Sequence, residues 1–260
     1  MKKKIKGLSL LNDLGNIKTS DNKRIRKGVL YRSSHFAKLQ DGDEEKLIKY
    51  YNLHHVVDFR TEEEVTKMAE LTNSKINRYW YPMLESHENR MITKENRMPI
   101  LKDMSKQPGG AKQSMTNYYC LLITSKKAQL AYKNFFNKLL EIDPNEALAF
   151  HCTQGKDRTG VALMLLLTVL GVEKKRVIKK YLQYNKIKFN FRFWAYVGMT
   201  LFISPRLALH LDKILGARKE YINAAYQTIE KEYQNIDNYI RNVIGLSEDD
   251  IQKLRLKYLH

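Results

Sequence analysis

The chain has 260 residues, 43% of them hydrophobic, so it can bury an ample core, most simply within one domain over residues 1–260. It carries 46 Lys and Arg against 28 Asp and Glu; this net charge of +18 favours phosphorylated or lipid-borne anionic partners, and no nucleic-acid motif accompanies it, which argues against nucleic acid. Two cysteines exclude a disulfide framework, and with no apolar run near ~20 residues and no evident signal peptide we expect a soluble protein, cytoplasmic or secreted.

The first half of the chain predicts strands that alternate with short helices. Thr61 is followed three residues later by Glu64, a capping box that starts a helix directly after a strand. Residues 85–114 are polar and basic around Pro108-Gly109-Gly110 and predict a long loop, a kind of segment that often forms a functional flap. The predicted elements are strands over Gly28–Ser34, His54–Arg60 and Ile76–Met83, a helix over Asp41–Tyr51 and helical spacing over Met115–Ile142.

One stretch, His151–Gly160, stands between two apolar runs and organises the rest of the chain. The run before it, Ala147–Phe150, predicts a buried strand, and the run after it, Val161–Leu170, predicts a buried helix. A tight loop at a helix N-terminus offers free backbone N–H groups and the positive end of the helix dipole. The sequence therefore predicts an anion-binding loop here.

Cys152 opens this loop and Arg158 closes it, with five residues between them, a pattern that suits phosphate monoester chemistry. A helix N-terminus and a nearby cation lower the pKa of a thiol, so Cys152 is the candidate nucleophile that would form a phosphocysteine intermediate. The planar fork of Arg158 can hold two phosphate oxygens at once. The alternative interpretation is that Cys152 is a buried structural thiol in a helix-entry turn.

The other loop residues have candidate roles that follow from their side chains. Asp157 is the first choice for the general acid and base, and Lys156 adds a second cation for a more heavily charged substrate. The Thr159 hydroxyl can donate to the sulfur, and His151 precedes the nucleophile as a supporting residue. The candidate phosphate-binding residues are Thr153, Gln154, Gly155, Lys156, Asp157 and Arg158.

The C-terminal part of the chain predicts further helices. Ser204-Pro205 is a typical helix start and Gly216 a typical stop, while the preceding segment is rich in aromatic residues. The predicted segments are a basic helix over Lys174–Lys188, the aromatic segment Asn190–Thr200, a helix over Tyr221–Ile244 and a last helix capped by Ser247.

The loop Cys-Thr-Gln-Gly-Lys-Asp-Arg-Thr-Gly resembles the signature of the cysteine-based protein tyrosine phosphatase superfamily. More narrowly, it is similar to the bacterial tyrosine/lipid phosphatases of the Listeria type and the mycobacterial triple-specificity type. The Leu-Tyr-Arg-Ser element at 30–33 and the Asp-Phe-Arg element at 58–60 extend the resemblance, whereas Asn12 and Asn16 depart from an Arg-Asp-Leu-Gly-Gly element. Within the first element, Asp13 and Arg32 are candidates for a surface ion pair.

The fold is expected to be α/β, similar to the protein tyrosine phosphatases, with a small, mostly parallel central sheet flanked by helices. We expect no metal or cofactor, because the loop itself supplies the positive charge. The resemblance places Asp58 and Arg60 near the loop, with Asp58 as second choice for the general acid and bracing of the loop as its favoured role. It also implies a helical lid over residues 186–216, with ordinary core packing of these helices as the alternative. A basic, aromatic lid would also contact membranes that carry phosphoinositides.

Phosphotyrosine proteins and phosphoinositide head groups are the substrates that this interpretation predicts, and Lys156 with the overall charge favours both. Three alternatives stay open at this point. They are a phosphatase that acts on phosphotyrosine alone, a phosphate-binding pseudophosphatase and a rhodanese-like sulfurtransferase. The presence of Cys152, Arg158 and a candidate acid argues against the second, and the Thr159-Gly160 tail argues against the third.

Overall fold

The computed structural model describes residues 5–70, 75–86 and 97–260. Its strands are β1 (Leu11–Asp13), β2 (Leu30–Ser33), β3 (Leu53–Asp58), β4 (Asn77–Trp80) and β5 (Ala147–His151). Its helices in the first half are α1 (Asp43–Tyr51), α2 (Glu62–Lys67), α3 (Arg97–Lys106), α4 (Gly110–Thr124) and α5 (Lys126–Glu141). They continue as α6 (Arg158–Val169), α7 (Lys174–Ile187), α8 (Phe189–Phe202), α9 (Pro205–Leu215), α10 (Lys219–Tyr233), α11 (Ile236–Asn238), a π-helix (Tyr239–Ile244) and α12 (Glu248–Tyr258).

The strands of the described residues form one sheet in the order β1-β2-β5-β3-β4. β1 pairs with β2 in antiparallel fashion, and every other pair is parallel. Parallel neighbours need crossover connections, and helices supply them here. The predicted mostly parallel α/β fold is confirmed. β5 lies at the centre, so the loop that follows it leaves the middle of the sheet at the carboxyl ends of the parallel strands.

Alternating side chains of the central strand separate two apolar layers. Leu148 and Phe150 belong to the larger cluster, which includes the buried face of α6 and most of the helical layer. Ala147 and Ala149 point the other way, into a smaller cluster that includes Leu47 of α1. α6 is buried almost throughout its length, as its unbroken apolar sequence predicts. Helices therefore cover both faces of the sheet, and the central strand is fixed from both sides.

The predicted long loop over residues 85–114 is wrong in its second half. α3 occupies 97–106 and α4 begins at Gly110, while the part of the prediction that covers 87–96 lies outside the described residues. Gly109 and Gly110 have positive φ angles of 72° and 52°, which glycine adopts without a Cβ clash. The Pro-Gly-Gly sequence is thus a tight turn between two helices rather than the centre of a flap.

Two segments predicted as continuous helices are broken in the structure. Ser125, with ψ of 126°, separates α4 from α5. Gln234, with φ of 69°, ends α10 before the short α11 and the π-helix. Apolar spacing continues across both breaks, so periodicity does not reveal them. The predicted aromatic segment forms the helix α8, which packs on α9, and α9 in turn packs on α3 and α4. Among the described residues no helix has the length and apolar character needed to cross a bilayer.

Candidate active site

The predicted order of strand, loop and helix is present at the centre of the molecule. β5 ends at His151, the loop runs from Cys152 to Asp157, and α6 begins at Arg158. Only 3% of Cys152 is exposed, and Lys156 and Arg158 are also buried. The structure therefore brings the candidate nucleophile and both candidate cations into one enclosed site at a helix N-terminus.

Arg32, at the third position of β2, holds the backbone of the loop from behind. Its Nε donates to the Gly155 carbonyl at 2.7 Å, and its Nη2 donates to the Lys156 carbonyl at 3.3 Å. In a trans peptide the carbonyl and the following N–H point in opposite directions. Hydrogen bonds from Arg32 to these two carbonyls therefore turn the N–H groups of Lys156 and Asp157 away from Arg32, toward the phosphate side of the loop. The predicted surface position of Arg32 is wrong, because only 2% of it is exposed.

Gly155 lets the loop pass close to the end of β2. Its φ angle is +69°, and a Cβ at this position would lie 2.1 Å from the Ser33 carbonyl oxygen. That oxygen belongs to the backbone of a buried strand and cannot move aside. A larger residue would therefore push the loop out of the shape in which its carbonyls meet Arg32.

Arg158 is held by the carboxylate of Glu64 on α2. Its Nη1 and Nη2 donate to the two carboxylate oxygens at 2.5 and 2.7 Å, and the Thr153 hydroxyl donates to the same carboxylate. Burial acts to raise the pKa of Glu64, but the Arg158 charge and these hydrogen bonds outweigh it and lower the pKa to about 2. Arg158 Nε is buried and has no hydrogen-bond partner among the described residues. The guanidinium is thus fixed by one edge and keeps a donor for a substrate oxygen.

Asp157 lies on the open side of the loop. Its Oδ1 accepts a hydrogen bond of 2.8 Å from the Tyr119 hydroxyl, which in turn is 2.7 Å from the Tyr181 hydroxyl. Burial raises the pKa of Tyr119 well above its usual value, so this hydroxyl stays protonated and keeps donating. Asp157 therefore has a fixed side-chain orientation within the loop and is partly accessible to solvent.

Lys156 contacts the last turn of α9 rather than open solvent. Its ammonium donates to the Ile214 carbonyl, and its Nζ lies 3.4 Å from Asp157 Oδ2. Burial lowers the pKa of Lys156. The helix predicted as part of a lid thus has its C-terminal end directly on the loop.

Asp58 is paired with Arg60 rather than directed at the nucleophile. Arg60 Nε donates to both Asp58 oxygens at 3.0 and 2.8 Å, and the Arg60 backbone N–H donates to Oδ1 at 2.9 Å. Burial acts to raise the pKa of Asp58, but His151 and Arg60 outweigh it, so the pKa lies below its usual range. A carboxylate that is ionised and saturated in this way suits bracing better than proton donation.

Asp58, Glu70 and His151 are the cluster of the described residues whose ligand atoms lie close enough together for a metal ion. Arg60 already occupies this place, with Nη2 at 2.7 Å from Asp58 Oδ2 and 3.1 Å from Glu70 Oε1. A cation would have to displace a buried guanidinium. We therefore assign the cluster to ion pairing beneath the loop, where His151 Nδ1 is 3.0 Å from the Cys152 carbonyl oxygen.

Gln154 and Thr159, two further predicted site residues, differ in their exposure to solvent. Gln154 is exposed at the rim, and its Oε1 accepts a hydrogen bond of 2.9 Å from the Tyr184 hydroxyl. The Thr159 hydroxyl is fully buried and has no hydrogen-bond partner within the described part of the chain. The predicted bond from Thr159 to the Cys152 sulfur is therefore not formed in this structure, although the donor is free to make it.

Sequence reasoning did not assign site roles to Arg32, Tyr119, Tyr181 or Tyr184. A signal existed for Arg32 alone, since a charged residue interrupts the apolar run of a strand predicted to be buried. The tyrosines come from α4 and α7, at 24 or more positions from the loop. Their helical spacing also fits ordinary core packing, which conceals the role of their hydroxyl groups.

The geometry agrees with the comparison to known families. The model of the tyrosine phosphatase family matches residues 4–260. The chain belongs to this family. The phosphatase is 29% identical over 254 residues to a protein of Cupriavidus necator that is named as a tyrosine-protein phosphatase, and the match covers 97% of this chain and 86% of that protein. It is 26% identical over 258 residues to the triple specificity protein phosphatase PtpB of Mycobacterium tuberculosis, with 89% of this chain and 91% of PtpB covered.

Proposed function

We propose that the phosphatase hydrolyses phosphate monoesters through a phosphocysteine intermediate on Cys152. The observation that carries the proposal is the loop itself. A buried thiol and a buried guanidinium flank five residues whose backbone is turned by Arg32 so that N–H groups face the space between them. The guanidinium of Arg158 and the N-terminus of α6 supply positive charge beside that space, which suits the binding of a phosphate dianion.

The reaction then proceeds in two displacements that share one acid–base residue. The Cys152 thiolate attacks phosphorus, the ester P–O bond breaks, and the leaving oxygen takes a proton from Asp157. In the second step Asp157 removes a proton from water, the water oxygen attacks phosphorus, and the thiolate leaves. Arg158 and the loop N–H groups hold the phosphoryl oxygens in both steps.

Asp157→Asn separates the two candidate acids. An amide cannot protonate the leaving oxygen, so hydrolysis of phosphotyrosine should fall by ~10²-fold or more, whereas an aryl ester with a strongly acidic phenol should be slowed far less. The measurement is kcat for a series of aryl phosphates of increasing phenol pKa. Asp58→Asn is the matched control, checked for folding by circular dichroism. An equal loss across the series in Asp157→Asn, with the leaving-group dependence found in Asp58→Asn instead, would transfer the role to Asp58.

The lid belongs to this proposal as well. Cys152 is almost completely covered, and the end of α9 is bound to Lys156 through the Ile214 carbonyl. A phosphorylated side chain cannot reach the thiol in this arrangement. We assign α8 and α9 the role of a lid that moves away for substrate entry, with the Lys156 contact as its closure.

We further propose that phosphoinositide head groups are substrates beside phosphotyrosine. The net charge of +18 and the buried cation Lys156 favour a substrate with more than one phosphate, and one relative is named for triple specificity. Lys156→Ala should lower kcat/KM for a polyphosphorylated inositide more than for a phosphotyrosine peptide. If both fall equally, Lys156 acts on the lid or on Asp157 alone, and the argument for lipid substrates is lost.

The direct test compares kcat/KM for a phosphotyrosine peptide, a phosphoserine peptide and a panel of soluble phosphoinositides, with Cys152→Ser as the blank. Turnover of peptides and inositides supports the full proposal. Turnover of phosphotyrosine alone retains the phosphatase and rejects the lipid substrate. Binding of the phosphotyrosine peptide without turnover of any substrate would make the protein a phosphate-binding pseudophosphatase.

A further inference from the structure

Helix α8 carries an unusual amount of exposed apolar side chain. We define the aromatic face as Phe191, Trp194, Leu201 and Phe202, which are 57%, 68%, 70% and 85% exposed. Their spacing of i, i+3, i+10 and i+11 places them on one side of the helix. Met199 is the buried residue of α8, which packs on α9, while Phe189 and Phe193 on the side opposite the aromatic face are 62% and 47% exposed. The exposure of four large apolar side chains to water on one side of a helix is unfavourable, so this face indicates a binding surface.

The chain around the aromatic face is strongly basic. Residues 174–219 contain twelve Lys and Arg and a single acidic residue, Asp212, which is bound to Arg192 and Arg218. Five of these lysines line a groove of about 810 Å³ between α7 and α10, whose apolar floor includes Ile178 and Leu182. The lysines of this groove, which we call the lysine groove, are Lys174, Lys175, Lys179, Lys186 and Lys219. Lys186 lies three residues before α8, so the groove and the aromatic face are adjacent in the chain.

We propose that the aromatic face and the lysine groove together dock the protein on an anionic lipid bilayer. α8 has 14 residues and is ~21 Å long, too short to cross a hydrocarbon layer of ~30 Å, so it would lie in the interface with its aromatic face inward. The lysines of the lysine groove would meet acidic head groups, whose negative surface potential attracts basic side chains. An anionic bilayer offers both an apolar interior for the aromatic face and acidic head groups for the lysines.

Two other occupants fit the observations less well. A second copy of the chain would bring two strongly basic segments together, and a net charge of +18 on each copy opposes that contact. A folded protein partner would need pockets for side chains that protrude almost fully, whereas fluid acyl chains adapt to any shape. The proposal goes beyond the chemistry of the active site. It also places that site next to the membrane, because α8 continues into α9, whose end contacts Lys156.

The test is co-sedimentation of the full chain with vesicles of phosphatidylcholine alone and of phosphatidylcholine with phosphatidylserine. Neither contains a phosphate monoester, so the readout does not depend on catalysis. We expect binding to the anionic vesicles, weakened by salt, and a blue shift of tryptophan emission that Trp194→Phe removes. Leu201→Ser with Phe202→Ser should reduce the partition coefficient by about tenfold or more. The matched control, Leu130→Ser with Leu256→Ser, changes exposed apolar residues on α5 and α12 and should bind normally.

The charge contribution is tested with a second matched pair. Lys175→Glu with Lys179→Glu removes two lysines of the lysine groove, while Lys126→Glu with Lys133→Glu makes the same change of net charge on α5. The first pair should lose affinity for anionic vesicles by more than the second. Wild-type binding by the Leu201/Phe202 variant, or equal losses in both charge pairs, overturns the proposal. Sedimentation velocity that shows a dimer dissociated by the Leu201/Phe202 change, without vesicle binding, would assign the face to a second copy and also overturn it.

Discussion

Cys152→Ser should abolish turnover of every phosphate monoester that the wild type hydrolyses, with kcat lowered by at least about 10³-fold. A serine hydroxyl in this loop stays protonated, because its pKa lies far above that of a thiol, and it is a poor nucleophile without a base. The substitution replaces one sulfur by an oxygen and keeps the number of side-chain heavy atoms, so the fold should be retained. The measurement is single-turnover hydrolysis of an aryl phosphate, with the release of phosphate as the readout.

The same variant should still bind substrate. In the proposed mechanism the thiolate is a negative charge close to the phosphate dianion, and its removal leaves Arg158 and the loop N–H groups in place. We expect the Kd of Cys152→Ser for a phosphotyrosine peptide, measured by calorimetry, to be equal to or lower than the KM of the wild type for the same peptide. Cys120→Ser is the control, since Cys120 is the second free thiol and lies partly buried on α4. Hydrolysis by Cys152→Ser near the wild-type rate would refute the nucleophile assignment.

Local sequence patterns were sufficient to predict the strand, loop and helix around Cys152. All five residues of β5 are buried, and the twelve residues of α6 form one helix, as their apolar runs predict. The loop between them ends at the positive end of the α6 dipole. The resemblance to a known family added the positions of Asp58 and Arg60. These elements are adjacent in the sheet, so the parallel register alone brings them together.

The contacts that shape the loop could not be predicted in the same way. Arg32 reaches Gly155 across 123 positions of sequence, and Tyr119 reaches Asp157 across 38. Such pairs depend on strand order and helix packing, which periodicity does not fix. Glu64 shows how a local sequence pattern fails to reveal a long-range contact. Its capping box with Thr61 was recognised from spacing and is present, yet the same carboxylate also holds Arg158. A local motif thus concealed a second, long-range function.

Lys156 is the reverse case, in which a residue predicted to contact the substrate is bound within the protein. Its charge suggested a contact with substrate, and in the structure its ammonium is bound by the carbonyl of Ile214 at the end of α9. Both roles are compatible if α9 moves away as we propose, because that movement frees the Lys156 ammonium. The link between this cation and the end of α9 depends on tertiary packing and is not visible in the sequence.

Arg158→Lys should lower kcat/KM by about 10³-fold, the second large effect that we expect. Lysine keeps the charge but has a single ammonium in place of the guanidinium fork. It cannot contact both oxygens of Glu64 and a phosphate oxygen at once, whereas Arg158 uses Nη1 and Nη2 for Glu64 and has Nε without a partner. The loss should fall mainly on kcat, because the equatorial oxygens of the transition state need the planar donor.

Glu64→Gln distinguishes transition-state binding by Arg158 from a structural role. This variant leaves the guanidinium in the site but removes the charge that orients it, and breaking a buried pair in this way costs about 3–5 kcal/mol of stability. We expect Glu64→Gln to lower the Tm more than Arg158→Lys does, and to lower kcat/KM less. In the double variant the Arg158→Lys loss should persist on top of the Glu64→Gln effect. If the double variant is no slower than Glu64→Gln alone, and both single variants lose activity in proportion to stability, Arg158 acts only by bracing the loop, and phosphate binding then rests on the backbone N–H groups and Lys156.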